Sequence, residues 1–156
     1  MKNLLFHRLV SFAKWRWRSK SWRSIHSPWL FGLLVEMRSK AYHDKAIESH
    51  RRRLKRDETS VPALDLGAGS QGNTSTVAAI ARQSLKRPKH ARALAALMRH
   101  VGGGSALELG TSLGLTTAYL ASHAHQVVTV EGNPAIAAVA SKVWTALGTT
   151  NIHSIV

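Results

Sequence analysis

The chain has 156 residues, with 22 Lys or Arg against 8 acids, a formal charge of +14 and an apolar share of 44%. That length allows one domain with a real core and is too short to expect two, while the ordinary apolar share argues against wholesale disorder. Cysteine is absent, which excludes disulfides, thiolate metal sites and cysteine nucleophiles. The apolar runs are short and broken by Arg, Lys or Gly, so none spans a bilayer. Met1 to Phe12 lacks the long uncharged core and the cleavage site of a secretory signal, and a cytoplasmic protein is expected.

The charge is uneven. Before Thr59 lie 15 of the 22 bases and five of the eight acids. The three remaining acids, Asp65, Glu108 and Glu131, each stand next to a glycine or two residues before one. In an acid-poor half, those placements call for a reason.

In chain order, Met1 to about Ser27 mixes bases with Phe6, Phe12, Trp15, Trp17 and Trp22, and Leu5, Leu9, Phe12 and Ala13 recur at helical spacing. Ser27-Pro28 starts a helix through Met37, since Ser caps and Pro suits the first helical position. A further helix is predicted from about Ala41 to Arg56, where the Arg51–Arg56 basic run complements the helix dipole and is expected to be solvated. Ala63-Leu64-Asp65-Leu66 leads into a glycine-rich turn ending at Gly72, followed by a helix from about Ser75 to Leu85. Another helix runs from His90 to Val101, with Leu94, Leu97, Met98 and Val101 on one face, and Gly102-Gly103-Gly104 stops it.

From Ser105 strand and helix alternate. Ala106–Leu109 reads as a short buried strand and Val127–Val130 and Ile152–Val156 as two further strands, separated by helices Leu115–Ala124 and Pro134–Leu147, the latter capped by Asn133. The expected architecture is α/β: a Rossmann-like core with a partial parallel sheet of order 3-2-1, preceded by a helical N-terminal region. Three regions are predicted: a basic helical part over 1–60, a glycine turn and helices over 61–104, and the first half of the Rossmann-like core over 105–156.

The chemistry concentrates in Glu108-Leu109-Gly110-Thr111-Ser112-Leu113-Gly114, which follows a strand and opens a helix. Its glycines let the backbone approach a ligand. Glu131 lies 23 residues beyond Glu108 at the end of the next strand, where a doubly wound fold places an acid for ribose hydroxyls. A dinucleotide site typically has Gly-x-Gly-x-x-Gly and rests a pyrophosphate on the turn. Here the turn reads acid-x-Gly-x-x-x-Gly, and the leading Glu108 would repel a pyrophosphate while suiting a cationic ligand end such as the amino group of a methionine moiety. The candidate cofactor-binding residues are Glu108, Gly110, Thr111, Ser112, Gly114, Glu131 and Gly132. The earlier turn, with Asp65, Gly67, Gly69 and Ser70, is either an ordinary glycine loop or a lid or substrate loop, because Pro62 leaves little strand before it and no strand ending in an acid follows.

From His26 onward the chain resembles a group of bacterial class I S-adenosylmethionine-dependent methyltransferases, mostly of unassigned substrate. The resemblance rests on His26-Ser27-Pro28, Asp65-Leu66-Gly67-Ala68-Gly69-Ser70, Ser84-Leu85-Lys86, Leu107 to Gly114, and Val128-Thr129-Val130-Glu131-Gly132-Asn133-Pro134. It implies S-adenosylmethionine as cofactor, with Glu108, Gly110 and Gly114 shaping the methionine side and Glu131 holding the ribose. The class I fold has seven strands and only three follow Ser105, so an incomplete chain, inactive alone, is expected. No catalytic base can be assigned. The half-sheet should leave an unpaired edge, which favours self-association.

Two alternatives remain. Residues 1–58 could form a basic nucleic-acid-binding module without catalysis, with Trp15, Trp17 and Trp22 stacking on bases, although packing as a helical layer is the favoured role. A nicotinamide-dependent oxidoreductase is the other, and Glu108 argues against it. No metal site is expected, since His123 and His125 lack nearby carboxylates, and Ser70 and Ser112 lack triad partners. The methyl acceptor is unassigned.

Overall fold

The computed structural model describes residues 2–19, 21, 24–62 and 74–156, with side chains from residue 6 onward. The chain divides into two compact units, Met1–Leu34 and Val35–Val156. In the first, α1 (Lys2–Arg18) ends on Arg16 and Arg18, and Ser19 closes it by donating its backbone N–H to the Trp15 carbonyl. Phe12 and Trp15 of α1 pair with their rings tilted by 37° and centroids 5.6 Å apart. Ser27 caps α2 (Pro28–Arg38), its Oγ accepting from Leu30 N at 3.3 Å. Among the described residues no helix is long and apolar enough to cross a membrane.

In the second unit α3 spans Lys45–Leu54. It starts later than Ala41 because the Asp44 carboxylate accepts from Ala46 N and Ile47 N at 2.8 and 2.9 Å. Next, β1 (Ser60–Pro62) pairs antiparallel with β2 (Thr74–Thr76), Val61 opposite Ser75. This pairing displaces the helix predicted from Ser75. Thr76 is extended and caps α4 (Val77–Gln83) by accepting from Ala79 N, so the helix begins only at Val77. The glycine turn between β1 and β2, with Asp65, Gly67, Gly69 and Ser70, lies outside the described residues.

Pro88 opens α5 (Pro88–His100), two residues before the predicted start. The face it buries meets the expected one at Met98, while Leu94 and Leu97 are only half-buried. Ala91, Ala95, Ala96 and Met98 are inside and Val101 is exposed. Helix α5 lies against α6 (Leu115–Ala121), whose Tyr119 and Leu115 already fill the space. Alanines let the two backbones approach, and the leucines fall to the flanks.

The remaining elements are β3 (Ser105–Leu109), β4 (Gln126–Val130), α7 (Pro134–Ala146) and β5 (Ile152–Ile155). The sheet is parallel in the order β3-β4-β5, the expected succession, with Glu108 beside Thr129 and Val130 beside Ile155. Strand β4 is central and Val127 and Thr129 are fully buried. Among the described residues β3 has no partner on its far side, and Leu107 and Leu109 stand exposed, the latter at 78%.

Candidate functional site

The site grows from the junction of β3 and β4. After Leu109 the chain turns at Gly110, whose φ of +89° only glycine adopts cheaply. Gly110 N and Thr111 N both donate to the Val130 carbonyl, at 2.9 and 3.1 Å, and Gly114 N donates back to Thr111. Ser112 sits at φ 51°, a rare conformation for a residue with a side chain. In that pose its N–H points at Glu131 Oε2, 2.7 Å away. Glu131 Oε1 accepts from Asn133 N at 3.1 Å. The turn after β3 therefore closes onto the acid that ends β4.

Glu108 is half-buried on β3. Its Oε2 accepts from Thr117 Oγ1 at 2.6 Å and Thr129 Oγ1 at 2.9 Å. Thr129 also shares a hydrogen bond with Thr111 Oγ1 at 2.6 Å. Burial pushes the Glu108 pKa up, while the two threonine hydroxyls and the nearby Lys86 charge pull against that rise. Among the described residues Oε1 takes no hydrogen bond, so the carboxylate keeps an acceptor for a ligand.

A cleft of about 380 Å³ opens here. Glu108, Gly110, Thr111 and Ser112 line it, together with Ser84, Leu85 and Lys86 from the α4–α5 link and Leu94 and Met98 of α5. Residues from both faces of β3 contribute, so the cleft follows the open edge of that strand.

Of the seven candidate cofactor residues, four thus share one cleft. Glu131 does not line it and touches it through Ser112 N. Gly132 is exposed and outside. Gly114 serves packing: it caps α6 at φ +75°, and its carbonyl accepts from Trp144 Nε1 at 2.8 Å. Sequence reasoning gave no site role to Thr117, Thr129 or Lys86. A threonine among the valines of a buried strand, in register with Glu108, is the signal that would have exposed Thr129.

A second cavity, about 430 Å³, lies away from the turn between α3, α4 and α7. Its rim carries His50, Arg53 and Lys142, and its carboxylate, Asp57, is held below the ordinary range chiefly by the Thr59 side-chain hydrogen bond. His123 is half-buried edge-on to Tyr42, with burial lowering its pKa, and among the described residues no three His, Asp or Glu side chains converge on a metal position.

No family model and no curated protein matches the chain. Solved structures do. The S-adenosylhomocysteine-bound methyltransferase PaMTH1 of Podospora anserina superposes with a TM-score of 0.53 at 13% identity, covering 72% of this chain and 42% of that one. The N-terminal domain of EvdMO1 with S-adenosylhomocysteine bound gives 0.44 at 21% identity, over 76% and 48%. A protein-L-isoaspartate O-methyltransferase gives 0.40 at 18% identity, over 99% and 41%. The chain spans less than half the length of each. At such identities the likeness concerns the fold, which is the mixed α/β, parallel-sheet fold of PaMTH1.

Proposed function

We propose that the chain belongs to a class I S-adenosylmethionine-dependent methyltransferase and forms the cofactor side of its site. The observation that carries this reading is the polarity of the β3 turn. A pyrophosphate needs free backbone donors, and the turn commits the N–H groups of Gly110, Thr111, Ser112 and Gly114 to protein acceptors, leaving the first N–H groups of α6 as the donors on offer. What the turn offers instead is a carboxylate, Glu108, fixed by two buried threonines with one oxygen open. That arrangement suits an ammonium group and repels a phosphate, which disfavours a nicotinamide dinucleotide.

When bound, S-adenosylmethionine supplies a methyl group already activated by its sulfonium. The residues of this chain hold and orient. Glu108 would take the amino group of the methionine end. Glu131, whose two oxygens each accept one backbone N–H and retain further lone pairs, would take ribose hydroxyls beside Ser112. Leu94, Met98 and Leu85 exclude water from one wall of the cleft. The contribution to rate is alignment of donor and acceptor. The basic N-terminal segment supports nucleic-acid binding less well than its composition suggests, because Arg51 of the Arg-rich run is buried and bonded inside the protein.

Isothermal titration with S-adenosylhomocysteine and with NAD tests the reading. Binding of the first and not the second is expected, weakened about tenfold by Glu131→Ala. Preference for NAD, or binding of neither, would overturn it.

A further inference from the structure

Lys86 sits in the short link between α4 and α5 and lines the cleft with Glu108. Its carbonyl accepts from Arg51 Nη1 at 2.7 Å, across 35 residues of sequence. Arg51 is 5% exposed, and its Nε donates to Glu48 Oε2 at 2.8 Å. Glu48, 7% exposed, accepts through its other oxygen from the hydroxyl of Tyr119 at 3.0 Å. At the near end of the same link, Ser84 Oγ lies 2.8 Å from Ser112 Oγ of the β3 turn. Three consecutive residues are thereby fixed from both sides.

A buried ion pair is a poor device for stability alone, since apolar residues of like volume often serve as well or better. This one directs a further guanidinium donor, on Nη1, at a loop carbonyl beside the cleft. It therefore does what an apolar replacement could not: it sets the place of one backbone segment.

The link carries a charge opposite to that of Glu108. Among the described residues Lys86 and Glu108 form no direct ion pair, yet the Lys86 charge acts on the Glu108 carboxylate. Two opposite charges flank one cleft without neutralising each other. A dianionic phosphate would be repelled by Glu108, a simple cation by Lys86, and a neutral ligand would gain from neither. The ligand end that gains from both is a zwitterion.

We propose that Lys86 is a specificity-determining residue that takes the carboxylate of an α-amino-acid ligand end whose ammonium rests on Glu108, and that Arg51 is the positioning residue for it. This rests on the cofactor reading above and adds to it the carboxylate partner.

Two probes separate the proposals. S-adenosylhomocysteine carries the amino-acid end, and 5′-methylthioadenosine is the same thionucleoside without it. With the wild-type chain, titration of both is expected to show binding, tighter for S-adenosylhomocysteine. Lys86→Met, at an exposed position, should weaken S-adenosylhomocysteine about tenfold or more and leave methylthioadenosine within about twofold. Arg51→Lys should lower the ratio of the two affinities in the same direction, and Tyr119→Phe, which leaves the ion pair intact, should lower it less. A uniform loss for both ligands in Lys86→Met, or no loss, would refute the zwitterion assignment while the cofactor reading stands. A wild-type ratio in both Arg51→Lys and Tyr119→Phe would refute the positioning role. Failure of the wild-type chain to bind either compound would remove the cofactor reading and this inference together.

Discussion

The sharpest test of the packing concerns Gly114→Ala. The glycine has φ +75°, and a Cβ built on it would lie 2.6 Å from Trp144 Nε1, 2.8 Å from Trp144 Cε2 and 2.8 Å from the Ala140 Cβ. None of these atoms can yield easily, since Trp144 and Ala140 are both buried on α7 and the indole N–H is bonded to the Gly114 carbonyl. Three costs combine. The left-handed backbone costs a residue with a side chain about 1–2 kcal/mol, forced overpacking about 1–3 kcal/mol, and a disturbed buried hydrogen bond about 1 kcal/mol. The sum is roughly 3–6 kcal/mol, a large part of the ~5–15 kcal/mol that holds a typical domain folded. Gly148→Ala is the control. Its φ is +67°, but nothing lies within 4 Å of the added Cβ, so only the backbone cost applies. Urea unfolding followed by circular dichroism should show Gly114→Ala destabilised by at least about 2 kcal/mol more than Gly148→Ala. Equal losses would mean that the Trp144 contact is not what requires glycine at this turn.

Glu108→Gln separates stability from binding. Burial raises the Glu108 pKa above its ordinary 4.5. Folding therefore favours the protonated form, and the stability this group provides is greatest below its unfolded pKa and falls as pH rises through the raised value. Glu108→Gln should thus be at least as stable as wild type at neutral pH while binding S-adenosylhomocysteine about tenfold more weakly by calorimetry. Wild-type binding should itself weaken as pH falls through that raised pKa, and a flat profile would contradict the role given to the carboxylate. Thr129→Val keeps the shape but removes both hydrogen bonds to Thr111 and Glu108. It should cost about 1–3 kcal/mol in urea midpoint analysis, and a neutral effect would count against the network. Asn133→Ala removes the α7 cap on Ala135 N and Ile136 N and the bond from Asn133 Nδ2 to the Pro62 carbonyl. A loss of about 1–2 kcal/mol is expected from the cap, with hydrogen exchange of β1 and β2 accelerating ahead of the parallel sheet. Uniform acceleration would show that Asn133 does not tie the hairpin down.

What could be read from the residues divides along physical lines. The β3–α6–β4–α7–β5 succession was legible because short apolar runs, glycines and the Asn133-Pro134 cap are local signals, and the parallel order follows from the alternation. The hairpin was not, because Ser60–Pro62 and Thr74–Thr76 are three residues each and become strands only through one another. The α5 face is legible only in part, at Met98, because periodicity ranks leucine above alanine, whereas the close neighbour α6 selects the small side chain. By composition the whole Arg51–Arg56 run belongs in solvent, and Arg51 is buried instead. Nothing in an Arg-Arg-Arg-Leu-Lys-Arg string marks which arginine will meet a glutamate three residues back and a carbonyl 35 residues ahead. Within the site, Glu108 and Glu131 are conspicuous as acids among glycines, whereas Ser84-Leu85-Lys86 stands out only as a resembling piece, with nothing in the sequence to tie Lys86 to Glu108. Only the fold brings Lys86 to the cleft.

The way the β3 turn is anchored bears on thermodynamics as well as shape. With Gly110 and Thr111 bonded to Val130, and Ser112 to Glu131, the loop already has its shape before any small molecule arrives. An incoming nucleoside would not have to freeze a floppy segment, so little of its interaction energy would be lost to ordering. Its heat-capacity change should then reflect desolvation of the contact surface and not coil-to-loop condensation.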